Sequence, residues 1–273
     1  MKPILTAVIV GVCIGAAMRS CRMRLWRKLG LLVYFLATGL LLYFLTGSIW
    51  AGIAGLAIWF LLPWVELLTR VRNLRLPLNN KLRHRFPPNE DHFPNADKMI
   101  AALEDAGFEH AKNCGWDWAG ASQSYQFFWN PEERSVAAVC FCQQEKITFS
   151  FVTITSRDMN GCMWRSTNYP FAPTLKEIPK VWQNKMGCGV ESIAAMLANH
   201  HYFIGLHGAE HDDLSIPCPD SVEEEVEQDM RRQIDYNIQQ GLIELTGDGH
   251  FKYTFKGLFF LWKQFVKDMV RFN

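Results

Sequence analysis

A cysteine between two glycines is the residue of this chain best placed for chemistry. Cys188 lies in the stretch 183–201, QNKMGCGVESIAAMLANHH, where an apolar helical pattern begins. The dipole at a helix N-terminus favours negative charge, so a thiol there is drawn toward its nucleophilic thiolate form. The competing reading is a glycine-flanked helix start with a packed thiol. A second cluster follows, in which His200, His201, His207 and His211 stand close to Asp212 and Asp213. His207 and His211 are four residues apart, a spacing that puts both on one helical face and suits zinc. Gly205 and Gly208 interrupt that stretch, and solvated histidines at a helix end are the plainer reading. The chain has no Gly-rich phosphate loop, no G-x-S-x-G, no H-E-x-x-H and no kinase motif set, and no cofactor is expected.

The Cys188-Gly189-Val190-Glu191-Ser192-Ile193-Ala194-Ala195-Met196-Leu197 run resembles the nucleophile helix of papain-like peptidases that process double-glycine leaders. The resemblance implies that Gln183 helps to form an oxyanion hole. It also implies a histidine on a later strand in a Gly-His-Phe context, and Gly249-His250-Phe251 stands here. It covers this stretch and one tripeptide, and no Asp-Pro or Asn follows His250 to orient the ring. Further along, Gly241-Leu242-Ile243, a glycine turn, and Tyr253-Thr254-Phe255-Lys256-Gly257 resemble the wing of a winged-helix domain. The preceding helix carries Glu223, Glu224, Glu225, Glu227 and Asp229 against Arg231 and Arg232, a face suited to a protein rather than to DNA.

These residues have to be positioned by a chain that is organised around an apolar stretch. Residues 30–68 hold a single formal charge, Glu66, and are nearly twice the length of a span of about 20 residues. Thr46-Gly47-Ser48 breaks the stretch into two helices. Residues 3–18 form a further apolar run, read as a third span, with a cleaved signal peptide as its rival. The reading is therefore a transmembrane region over 1–69, with spans of about 3–18, 30–46 and 49–68. A basic, Pro-rich linker occupies 70–95. An α+β domain fills 96–273, with a sheet part over 96–175 and a helical, winged-helix-like part over 176–273.

Charge sets the expected orientation. Residues 1–85 carry 12 Lys or Arg against one acid, and residues 86–273 carry 16 against 26. The acidic part would repel a phosphate backbone, so nucleic acid is not an expected partner. Arg19, Arg22, Arg24, Arg27 and Lys28 follow the first run, and Arg70, Arg72, Arg75, Lys81, Arg83 and Arg85 follow the hairpin. Basic clusters stay on the cytoplasmic side, which puts the N-terminus outside the inner (plasma) membrane and the α+β domain in the cytoplasm. The second cluster can also touch anionic lipid. Ala51, Gly52, Ala54 and Gly55 offer a small-residue face for self-association. Without a mid-membrane charge the spans anchor rather than conduct.

In the soluble part, Asn95 is expected to cap a helix that Gly107 stops. Strands are expected over 125–129, 135–143, 146–156 and 162–169 as an antiparallel meander, with 113–124 as a loop. The chain is then read as helical after Pro179, with helices over 189–202 and from Ser221 to about Gln240. A hairpin and a closing amphipathic helix from Gly257 to about Phe272 complete it. That last helix suits either a core or a membrane surface. Eight cysteines without a C-x-x-C pair read as reduced, packed thiols. The function expected is that of a membrane-anchored scaffold or regulator whose acidic domain binds a protein partner.

Overall fold

The computed structural model describes residues 2–20, 24–79, 81–86, 93, 95–118, 120–144, 147–187 and 192–272. The fold is α+β and divides into two compact units. The first comprises residues 1–74, 172–174 and 253–273, and the second residues 75–171 and 175–252.

The first unit contains helices α1 (Lys2–Arg19), α2 (Arg24–Thr46), α3 (Ile49–Thr69) and α7 (Phe255–Phe272). Among the described residues two stretches are long and apolar enough to cross a membrane: Lys28–Thr46, mean hydropathy 2.1, and Ile49–Asn73, mean hydropathy 1.8. The helices touch where side chains are absent. A Cβ on Gly30 would lie 2.8 Å from the Gly15 carbonyl oxygen, and one on Gly55 would lie 2.9 Å from that of Thr38. Glycine is needed there because only hydrogen lets the backbones approach so closely. Gly52 also faces α2, against Tyr43 and the Gly39 carbonyl. Two of the four small residues on α3 therefore lie in the hairpin seam. The Trp59 indole donates to Thr38 Oγ1 at 3.1 Å across the same seam.

In the second unit, a seven-stranded sheet runs in the order β2 (Arg83–His84), β3 (Glu109–Trp118), β4 (Ala121–Asn130), β5 (Ser135–Gln144), β6 (Ile147–Arg157), β7 (Met163–Thr167), β8 (Val181–Lys185). Every neighbouring pair is antiparallel except β7–β8. The four-strand meander is thus the middle of a larger, mixed sheet. Residues 113–118 and 121–124, read as loop, are strand because 115–118 pair with 121–124 and 113–114 with 125–126. Residues 181–185, read as the start of a helical region, pair with β7 instead. The segment read as a linker contributes β1 (Leu76–Pro77) and β2. A second sheet has the order β1–β10 (His250–Tyr253)–β9 (Ile243–Thr246), with the hairpin where the sequence places it.

Successive strand residues face opposite sides of a sheet. On β5, Ala137, Val139 and Phe141 belong to one buried cluster, and Ala138 and Cys140 to another. Helices α4 (Ala96–Asp105) and α5 (Ile193–Leu206) cover the first face, through Leu103, Ile193, Met196 and Leu197 against Phe128, Val152 and Ile154. Helix α6 (Val222–Gln239) covers the second, with Val222 and Val226 against Cys114, Phe127 and Cys140. Asn95 precedes α4 in the left-handed region (φ 81°) and makes no side-chain cap. Ser192 caps α5 by accepting from Ala195 N at 3.1 Å, so this helix starts four residues later than expected and runs on to Leu206. Helix α7 starts at Phe255, two residues earlier than expected.

Gly55→Val should lower the thermal midpoint of the full chain in detergent, through overpacking of about 1–3 kcal/mol. Gly11→Val is the control, since a Cβ there meets nothing within 4 Å. Equal losses in the two variants would refute the close seam.

Candidate functional site

Cys188 lies outside the described residues. The structure places Gln183 on β8, opposite Arg165, at one end of the large sheet. His250 is on β10 of the other sheet, opposite Pro77. Its Nδ1 is 3.1 Å from the Asp248 carbonyl oxygen and 3.4 Å from the Asp248 carboxylate. His207 and His211 do not share a helical face, because α5 ends at Leu206 with His207 as its C-cap. His207 Nδ1 is 2.9 Å from the Phe203 carbonyl oxygen, and its ring lies against Trp182 and Phe203. His211 Nε2 is 2.8 Å from the Glu132 carbonyl oxygen. Among the described residues no group of three His, Cys, Asp or Glu side chains is arranged to hold a metal ion.

Four acids of α6, Glu223, Glu225, Glu227 and Asp229, meet partners within the unit, while Glu224 and Asp235 are exposed. Arg157, on β6, meets Glu225 at 3.1 Å and donates to Asp229 at 3.1 Å, while Arg165 and Arg232 lie 3.9 and 3.8 Å from Asp229. Lys112 pairs with Glu223, and Leu82 N donates to Glu227 at 2.7 Å. This helix is a sheet cover, and several charges that the sequence suggested for a partner are used within the unit. The thiols below it are poor nucleophiles. Burial pushes those of Cys114 and Cys142 up to about 12, with the Glu223 charge adding to the effect at Cys114.

His200 was grouped with the surface histidines in sequence, but it is fully buried. Its Nδ1 is 2.8 Å from Ser166 Oγ and its Nε2 is 3.1 Å from Ser156 Oγ, which ties α5 to β7 and β6. One ring nitrogen donates and the other accepts, and the two hydroxyls can rotate to suit. Both serines are buried as well, so the group is a closed polar link and not a nucleophile open to substrate. Burial, with the neighbouring His201, pushes the His200 pKa from 6.5 down to about 3.

One open feature of this unit is a cavity of about 500 Å³. Met99 and Lys98 of α4, Thr148, Ser150 and Val152 of β6, Asn168, and Ser192, Ile193 and Met196 of α5 line it, with Phe93. Its size is that of ordinary ligand pockets. Lys98 is the one charged residue among the described residues that line it, and the first turn of α5 borders it, so its electrostatics favour an anion. Beside it, among the described residues, half of β6 lacks a strand on one flank. Ile147–Thr155 pair with β5, but β7 pairs only with Thr153–Arg157. Val152 N donates to Asn168 Oδ1 at 2.7 Å, and its carbonyl oxygen accepts from Asn168 N and Thr167 Oγ1 on the β7 side. The period of two puts the N–H and C=O of Ser150 and Thr148 on that same side, where among the described residues nothing pairs with them. Comparison with protein-family models, curated proteins and solved structures gives no match.

His200 generates a pH prediction. Its folded pKa lies below the unfolded value, so the unfolded chain takes up the proton first. The stability it supports is complete above about pH 6.5 and is lost as pH falls toward 3, at about 1.4 kcal/mol per unit. The thermal midpoint in detergent should therefore fall between pH 7 and about pH 5 by more in the wild type than in His200→Gln. An equal fall in both proteins would refute the neutral buried imidazole.

Proposed function

We propose that this chain is an integral protein of the inner (plasma) membrane, a scaffold or regulator that holds a protein partner at the membrane. Three N-terminal spans anchor it, the N-terminus lies outside, and the acidic unit lies in the cytoplasm. Two apolar helices with outward-facing side chains support the anchoring, among them Trp50 at 76% exposure. The basic clusters after the first run and after the hairpin support the orientation. Of the alternatives raised by the sequence, a metal module at His207/His211 gains no assembled site among the described residues, and a Cys188/His250 thiol hydrolase depends on a cysteine that lies outside them.

The observation that carries the reading is the open half of β6 beside the cavity. An exposed strand edge is a template for another strand. A partner segment in extended form would hydrogen-bond to Thr148 and Ser150. Its alternate side chains would enter the cavity, as in other cases of strand addition. Phe93, Met99, Ile193 and Met196 would receive an apolar group, while Lys98 and the α5 N-terminus would favour an acidic residue or a terminal carboxylate.

The test uses the full chain in lipid nanodiscs, panned against a displayed library of random peptides. Selected peptides should be extended and acidic, and should slow amide exchange at Thr148 and Ser150. Ser150→Pro removes the outward N–H without touching the β5 pairing and should weaken binding about tenfold, or roughly 1.4 kcal/mol. Lys98→Glu should select against acidic peptides. Protection elsewhere with β6 unaffected would refute the docking mode. Hydrolysis of bound peptide, abolished by Cys188→Ala, would identify the thiol hydrolase instead.

A further inference from the structure

The surface of the first unit holds an arrangement that anchoring alone does not require. Helix α7 packs along α3 through one aromatic cluster. The Trp64 ring lies 5.7, 6.4 and 6.2 Å from those of Phe255, Phe259 and Trp262. The Trp262 indole donates to the Phe60 carbonyl oxygen at 2.7 Å. Pro63 lies inside α3 at this point and cannot supply an N–H to the carbonyl four residues before it, which loosens the helix where α7 attaches. Trp64 precedes the last residue of α3, Thr69, by five positions, about 7–8 Å along the axis. The contact therefore lies at the depth of the headgroup boundary and not at mid-bilayer.

The remaining surface of α7 matches that depth. Leu258 and Leu261 are buried, yet Phe255 is 72% exposed, Phe259 43% and Phe265 38%. At 100° per residue, Lys256, Lys263 and Lys267 fall together on one flank of the helix, away from the apolar arc. Lys263 Nζ is 4.8 Å from the centre of the Phe259 ring, so charge and aromatic surface adjoin. The acid of this helix, Asp268, accepts from Ala172 N at 2.7 Å and is held on another side. Arg72, just after α3, is exposed, while Arg70 is paired with Glu66. Exposed rings beside lysines, on a helix tied to the end of an apolar span, are the features of a helix lying in the plane of the interface.

We propose that α7 is such an interfacial helix. It would bind the anionic phospholipid headgroups of the leaflet that holds the C-terminal end of α3. The rings of Phe255, Phe259 and Phe265 enter the acyl boundary, and Lys263 and Lys267 meet lipid phosphates. The protein would then sense the anionic content of its membrane. The inference rests on the membrane reading given above.

Amide exchange tests it on the full chain in proteoliposomes, one set of phosphatidylcholine alone and one with about one-third phosphatidylglycerol. Amides of α7 should exchange at least about fivefold more slowly in the anionic vesicles. The difference should vanish in about 0.5 M NaCl and in the Lys263→Gln/Lys267→Gln variant, with α3 amides unchanged. Equal α7 exchange in both lipids, with α3 still protected, would overturn the lipid role and leave the anchoring intact. A chain extracted from either vesicle by alkaline carbonate would refute the anchoring itself. A lipid effect that survives the double substitution would overturn the assignment of the lysines.

Discussion

Strand β5 is apolar on both faces, and such a strand folds only if both faces are covered. Ala137, Val139 and Phe141 need one cover, while Ala138, Cys140 and Cys142 need another. A fully buried side chain of the larger kinds contributes about 1.5–3 kcal/mol, so neither layer can be omitted. The α4–α5 layer is almost wholly apolar. The α6 layer brings acids with it, and these stay buried or half-buried because Arg157, Lys112 and the Leu82 amide meet them. Had one partner been missing, the remaining charge would be an uncompensated cost. The same requirement explains His200, the polar residue on the inner side of α5, which stays neutral and engages two serine hydroxyls.

The candidate docking site follows from a mismatch within that sheet. β6 has eleven residues and β7 has five, so one neighbour of β6 stops halfway along it. At the point where pairing ceases, Asn168 turns its side chain back to satisfy Val152, and beyond it no strand among the described residues pairs with that edge, although the rings of Tyr169 and Phe171 pack on Phe149 and Phe151. Residues of α4, β6 and α5 line the cavity at the same place. The site is thus made of backbone groups and a gap in packing, with Lys98 and Ser192 at its border.

The first unit obeys a different constraint. In the membrane reading proposed above, apolar helices gain little from hiding apolar side chains, so they associate through close backbone contact and the few polar groups they have. The Gly15–Gly30 and Gly39–Gly52–Gly55 contacts and the Trp59–Thr38 hydrogen bond are of this kind. Helix α7 joins them through stacked rings and one indole hydrogen bond, and its lysines lie on the flank that adjoins Phe259.

Much of this was legible in the residues. The apolar runs, the helix opened by Ser221 and closed at Gly241, the hairpin around Gly247–Gly249 and the middle strands all follow from periodicity and turn chemistry, which act over a few residues. Strands β3 and β8 were not legible. Their pattern is mixed, and they become strands only by pairing with β4 and β7. The site was not legible either. The sequence pointed to Cys188, His250, His207 and His211 because their side chains are reactive, whereas the edge at Thr148 and Ser150, without a strand partner among the described residues, carries no reactive side chain. The sequence by itself determined which segments are apolar, where most helices end and how charge divides along the chain, because these are local properties. Only the tertiary structure decided that α6 turns four of its acids toward partners within the unit, that His200 is buried and that β7 is too short to pair with all of β6. Each of those depends on register and packing between residues far apart in the chain.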